Sequence, residues 1–190
     1  MIRFGKVLTV LTALGLAGCS GVPLGMDAAR LSKVDPLTTD PVALRFAVEL
    51  PASLQTVGGQ IQVTGKLDFA PGLAGETYHI AFEQIPNGPA EQRLAQDVKP
   101  GHHILAFRIA PTDLADFQEF RGRALAADRG GSISVAAVPC RIGTQEPDKL
   151  PMAVYLLAAE ITDYAGMFKN RDIRGKLGLT DPQEIARCKP

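Results

Sequence analysis

The residues scarce enough to be informative about chemistry in this 190-residue chain are three histidines, His79, His102 and His103, and three cysteines, Cys19, Cys140 and Cys188. A zinc or copper ion needs ligands that converge on one point. His102 and His103 are sequence neighbours, and neighbours on a strand point to opposite faces, so the two cannot both reach one ion. His79 could join one of them only through long-range folding, and no H-E-x-x-H spacing offers another set, so neither metal nor cofactor is expected. Nucleotide and acyl-transfer chemistry fare alike: G-x-x-x-x-G-K-[ST], G-x-G-x-x-G and G-x-S-x-G are all missing from the sequence. Glu83, Glu119, Glu160 and Asp163 could serve acid–base work, but no spacing forces two of them together, and solvated surface is the expectation for them. Ser132 and Ser134 belong on the outward face of a strand, with no sharp elbow to present a nucleophile. No catalytic residue is expected, and the chain reads as a non-enzyme.

Cys19 has a different context. Arg3 and Lys6 lie in a short basic start, Val7–Ala17 is apolar, and Leu16-Ala17-Gly18-Cys19 closes the segment. This is the layout of an export signal with a small-residue cleavage site. An uncleaved anchor fits poorly, because glycines and Pro23 leave only about a dozen continuous apolar residues where a span needs ~20. The Leu-Ala-Gly-Cys ending resembles the lipobox of bacterial lipoproteins. The resemblance implies thioether lipidation of Cys19, removal of residues 1–18 and acylation of the new amino terminus, palmitate being the expected kind of chain. Several acyl chains anchor a protein far better than one, so no membrane-spanning helix is needed. Ser20 after the cysteine implies, by the same resemblance, an outer-membrane position facing the periplasm rather than the inner membrane.

With Cys19 assigned to lipid, Cys140 and Cys188 remain, an even number in a compartment that permits disulfides. Their pairing is expected, as a structural staple for the C-terminus; no C-x-x-C marks a redox role.

The elements follow from pattern. Ser20–Pro41 mixes Gly21, Pro23, Gly25, Asp35-Pro36 and Asp40-Pro41 with polar residues, so 19–41 reads as lipidated terminus and linker, and 42–190 as one domain. A short amphipathic helix over Met26–Val34 is the alternative there. Val42–Leu50 alternates, with Val42, Leu44, Phe46, Val48 and Leu50 inward and Ala43, Arg45, Ala47 and Glu49 outward. Gly59–Phe69 follows a Gly58-Gly59 turn, with Ile61, Val63, Leu67 and Phe69 inward. Further strands are expected at Thr77–Ile85, His103–Ile109, Ser132–Val138 and Met152–Ala159, with polar loops at Pro86–Gly101 and Arg141–Leu150. The last segment is apolar on both faces, so it is a central strand covered on both sides or a short buried helix; the strand is the reading taken, with the helix that follows Thr112 as candidate cover. Asp113–Asp128 reads as a helix capped by Thr112, with an apolar stripe of Leu114, Phe117, Phe120, Ala124 and Leu125. Arg121 interrupts that stripe, its stem expected on the core edge and its head in water. Ile161–Leu179 has no pattern and reads as irregular. The fold expected is mainly β: an antiparallel β-sandwich, immunoglobulin-like in layout, with one inserted α-helix.

Without residues 1–18, 18 basic residues face 20 acidic ones, which gives no electrostatic reason to bind nucleic acid. Lys169, Arg171, Arg174 and Lys176 form a local basic cluster with Tyr164, Met167 and Phe168, and the first three are the candidate partner contact. The function expected is that of an envelope lipoprotein that binds a protein partner or supports an envelope assembly, joined to the membrane by its lipid. The alternative is a periplasm-facing module that holds an apolar molecule or cell-wall fragment between sheet and helix.

Overall fold

The computed structural model describes residues 26–67, 76–126, 131–136, 139–142, 149–172 and 185–188. The Leu16–Cys19 ending and Arg174 lie outside them. The described residues fold mainly as antiparallel strands, sandwich-like, with a helix inserted between two of them.

The strands are β1 (Arg45–Pro51), β2 (Leu54–Thr56), β3 (Gln60–Leu67), β4 (Glu76–Ile85), β5 (His102–Ile109), β6 (Gly131–Ala136), β7 (Pro139–Arg141), β8 (Pro151–Leu157) and β9 (Ala165–Asp172). Seven make one sheet in the order β6-β3-β4-β5-β1-β8-β9, and β2 pairs with β7 in a second, two-stranded sheet. Gly58 and Gly59, at φ 65° and 63°, turn the chain into β3, a conformation that L side chains avoid. The helices are α1 (Met26–Leu31), α2 (Pro89–Ala95) and α3 (Leu114–Ala126). Among the described residues no helix is long and apolar enough to cross a membrane.

The middle of the large sheet, β5-β1-β8, is buried on both faces. On one, Phe46 and Val48 from β1, Phe107 and Ile109 from β5, and Val154 and Leu156 from β8 form the main core with Phe117, Phe120 and Ala124 of α3. On the other, Ala47, Ile104, Ala153, Tyr155 and Tyr164 form a smaller core, covered by Ala90 and Leu94 of α2 and by Val98. β8 therefore has the two-sided cover that its apolar sequence requires, α3 and α2 supplying one side each.

Several expectations need correction. The face of β1 read as outward is covered: Ala47 is inaccessible and Glu49 only 4% exposed, because α2 folds out of the segment read as a polar loop. Pro89 at its first turn and Glu91, whose Oε2 accepts from Gly88 N at 2.8 Å, start that helix. The linker reading fails for residues 26–41. Val34 joins the main core, Thr39 Oγ1 donates to Glu160 Oε2 at 2.7 Å, and α1 packs on β9, the edge strand. The folded body thus begins no later than Met26. Residues 165–172, read as irregular, form β9, whose pairing with β8 shifts register between Met152 and Tyr155 and so hides the alternation.

The inserted helix is present, with different detail. Thr112 does not cap it; a 3-10 turn over Pro111–Asp113 precedes it, and Asp113 Oδ2 instead accepts Ala81 N of β4 at 2.8 Å. Leu125 is 52% exposed and lies off the apolar stripe. Arg121 is not left to water: its Nε donates to Leu37 O at 2.8 Å and its guanidinium sits 5.5 Å from the Phe117 ring centroid. It therefore fastens the N-terminal segment to α3.

Candidate functional site

Chemistry concentrates on the smaller face of the sheet. Glu49 is in β1, flanked by β5 and β8, opposite Ile104 on one side and Ala153 on the other. Its carboxylate has two partners drawn from those neighbours. Tyr155 OH of β8 donates to Oε2 at 2.8 Å, and Nδ1 of His102, the first residue of β5, lies 3.0 Å from Oε1. Burial first, then the hydrogen bond to Glu49 and the charge of that carboxylate, hold the Tyr155 phenol well above its ordinary pKa. The phenol stays protonated and acts as a fixed donor, not a base.

A second buried carboxylate sits beside it. Glu91 of α2 has no accessible surface; Tyr164 OH donates to its Oε1 at 2.8 Å and Arg45 Nη1 lies 3.5 Å away. Burial alone would raise its pKa, but the bonds from Tyr164 and from the backbone of Glu91 and Gly88, with Arg45, outweigh it and the carboxyl stays below its ordinary value. Tyr164 is pushed up by burial first and by Glu91 second.

A cleft of about 270 Å³ opens over this floor, lined by Asp27 and Arg30 of α1, Glu49, Leu94 of α2, Asp97, Lys99, Tyr155 and Tyr164. Arg30 is shared between Asp27 at 3.8 Å and Asp163 at 3.5 Å, and Arg93 also reaches Asp163 at 3.1 Å. The arrangement presents fixed charge and fixed donors. A carboxylate–imidazole pair such as Glu49 and His102 can orient a general base, yet among the described residues no hydroxyl or thiol is hydrogen-bonded to His102.

The residues picked from sequence are scattered by comparison. Glu83 pairs with Arg108 and Glu119 with Arg123 on the surface; Glu160 holds Thr39; only Asp163 stands near the cleft. His79 bonds Thr64 at 3.2 Å on an exposed face, far in pairing from His102, and His103 Nε2 is buried without a partner. Among the described residues no three His, Cys, Asp or Glu side chains are placed to hold a metal. Ser132 and Ser134 fall in β6, and Lys169 and Arg171 in β9. Cys140 and Cys188 are bonded to each other, their Cα atoms 4.9 Å apart. Sequence reasoning missed Glu49 and Glu91. The signal for Glu49 was Ala47, two positions before it on the same face of β1, small and apolar where solvent-facing residues are usually polar.

No family model, curated protein or solved structure matches this chain.

Proposed function

We propose that the chain is an envelope lipoprotein, lipidated on Cys19 and held at the outer membrane facing the periplasm, that acts without catalysis by binding a protein partner or supporting an envelope assembly. The observation that carries the address is the Leu16-Ala17-Gly18-Cys19 ending, and the Cys140–Cys188 bridge fits the same oxidising compartment. What favours a protein partner over an apolar ligand is the packing under α3. Phe117 and Phe120 are 2% and 3% exposed, and the apolar void beside Phe117 measures about 80 Å³. Ligand pockets start at roughly 300 Å³. Lys169 and Arg171 fall in β9, at one end of the sheet order, and with Arg174 are the first contact surface to test. Basic residues on an edge strand also discourage unwanted pairing.

Fatty-acid probe labelling in cells should mark the wild-type chain and not Cys19→Ala. A mature N-terminus elsewhere than Cys19 overturns the address. Crosslinking in intact cells followed by affinity capture should return a discrete envelope protein, weakened by charge reversal at Lys169, Arg171 and Arg174. Reproducible turnover lost on changing one polar residue of a folded protein overturns the binding role.

A further inference from the structure

We propose that the cleft between α1, α2 and the sheet is a binding site for a compact zwitterion of amino-acid size, its ammonium held at Glu49 and its carboxylate at the Lys99 and Arg30 rim. At about 270 Å³ the cleft lies just under the ~300–1,000 Å³ range of ligand pockets, which restricts the occupant to a small molecule.

The floor is preorganised for a cation. Glu49 is almost wholly buried, and Tyr155 and His102 together use two of the roughly four lone-pair positions of its carboxylate. The two contacts remove its rotational freedom and leave acceptor capacity on a group that lines the cleft. The Tyr155 and Tyr164 rings, each anchored through its hydroxyl to a different carboxylate, wall the cleft beside it, an aromatic setting that favours ammonium. The rim carries both signs. Three acidic residues, Asp27, Glu49 and Asp97, face two basic ones, Arg30 and Lys99, so the lining is net negative by one and suits a ligand with a cationic end buried and an anionic end outward. Among the described residues the Asp97 and Lys99 side chains make no ion pair, so neither must be released from another partner first. The four groups of lining residues come from α1, β1, the α2–β5 segment and β8–β9, so a ligand there would tie together parts of the chain remote in sequence.

Isothermal titration of the full chain in detergent with glycine, L-alanine and L-lysine tests this, with N-acetyl-L-alanine, L-alaninamide and glucose as controls. At least one free amino acid should bind, one molecule per chain. Acetylation of the amine should weaken binding about tenfold or more, because a charge-assisted bond to a buried carboxylate is lost. Amidation of the carboxylate should weaken it about threefold, as for a rim contact. Glu49→Gln should abolish measurable binding. Since that variant also touches the fold, Lys99→Met at the exposed rim is the second probe: affinity should fall about threefold with the thermal midpoint unchanged. No binding of any amino acid at millimolar concentration, equal binding of the acetylated form, or equal binding of glucose overturns the proposal. These results are independent of lipidation and partner capture, so this inference and the function proposed above fail separately.

Discussion

Replacing Cys188 by serine isolates the contribution of the disulfide. The bridge joins residues separated by 48 positions, and closing a loop of that length lowers the entropy of the unfolded chain by the equivalent of about 4 kcal/mol. The folded side shows why the tail depends on it. Residues 185–188 are held by Arg141 N to Ala186 O and Cys188 N to Arg141 O, both 2.9 Å, by Arg141 Nε to Ile185 O at 2.8 Å, and by Ile185 in the main core. Burying one isoleucine contributes about 2–3 kcal/mol and three hydrogen bonds about 3 kcal/mol, while ordering four residues costs about 6 kcal/mol. The contacts and the ordering cost nearly cancel, so the bridge decides whether the tail stays down. Cys188→Ser, Cys140→Ser and reduced wild type should therefore each lose about 4 kcal/mol in urea unfolding, or roughly 8–16 °C in thermal midpoint for a chain of this size. Amide exchange at Arg141 and Cys188 should quicken first, since local peeling precedes global opening. A reduced protein whose midpoint stays within ~2 °C of the oxidised one refutes the reasoning.

Glu91→Ala strands the buried Tyr164 hydroxyl and takes the acceptor from the part-buried Gly88 amide, and should cost about 3 kcal/mol in urea unfolding, with Glu91→Gln recovering part of it. Phe117→Ala should cost about 3–5 kcal/mol and Leu125→Ala under about 0.5 kcal/mol, because the first is 2% exposed and the second 52%; similar losses would contradict the observed helix rotation. His103 has a pKa held below its ordinary 6.5, by burial first and by His102, against a hydrogen bond to the Leu54 backbone. The unfolded chain then takes the proton more readily, so this part of the stability is complete above the ordinary imidazole range and falls as pH drops through it. The thermal midpoint of His103→Leu should decline less than wild type as pH falls below about 6.5, and parallel curves would show that another group governs.

Strands whose pattern is set by one buried face were legible: β3, β4, β5 and β8 fall where period-two alternation or an apolar run places them. The elements that escaped detection have other reasons to exist. β9 carries a bulged register that breaks the alternation, and β2 and β7 are three-residue strands too short to show a period. α2 is only about two turns long, and its starting signals, Pro89 and Glu91, were present but read as loop punctuation. α1 and the turns after it look like a linker because their apolar residues are few, yet Val34 and the contacts of Thr39 and Leu37 suffice to seat them. The disulfide was legible by counting, since assigning Cys19 to the lipobox ending leaves Cys140 and Cys188 as a pair. The cleft was not, because Tyr155 reaches Glu49 across 106 positions and Tyr164 reaches Glu91 across 73.

Those two carboxylate–tyrosine pairs bear on why the cleft is polar at all. Stability alone does not require them: replacing a buried, hydrogen-bonded charge and its partner by apolar groups of similar volume is often neutral or stabilising. A carboxylate buried at the floor of an open cleft, where an apolar side chain would serve packing as well, is better explained by recognition than by folding. The double variant Glu49→Met with Tyr155→Phe separates the two. Both side chains keep their approximate volume, no hydroxyl is left without an acceptor, and His102, whose side chain is 12% exposed, can turn to water. If the pair serves recognition, the thermal midpoint should stay within a few degrees of wild type or rise, while amino-acid binding disappears. A midpoint lowered by more than about 10 °C, roughly 3 kcal/mol or more for a chain of this size, would show that the sheet needs the charge, and the argument from cost would fail.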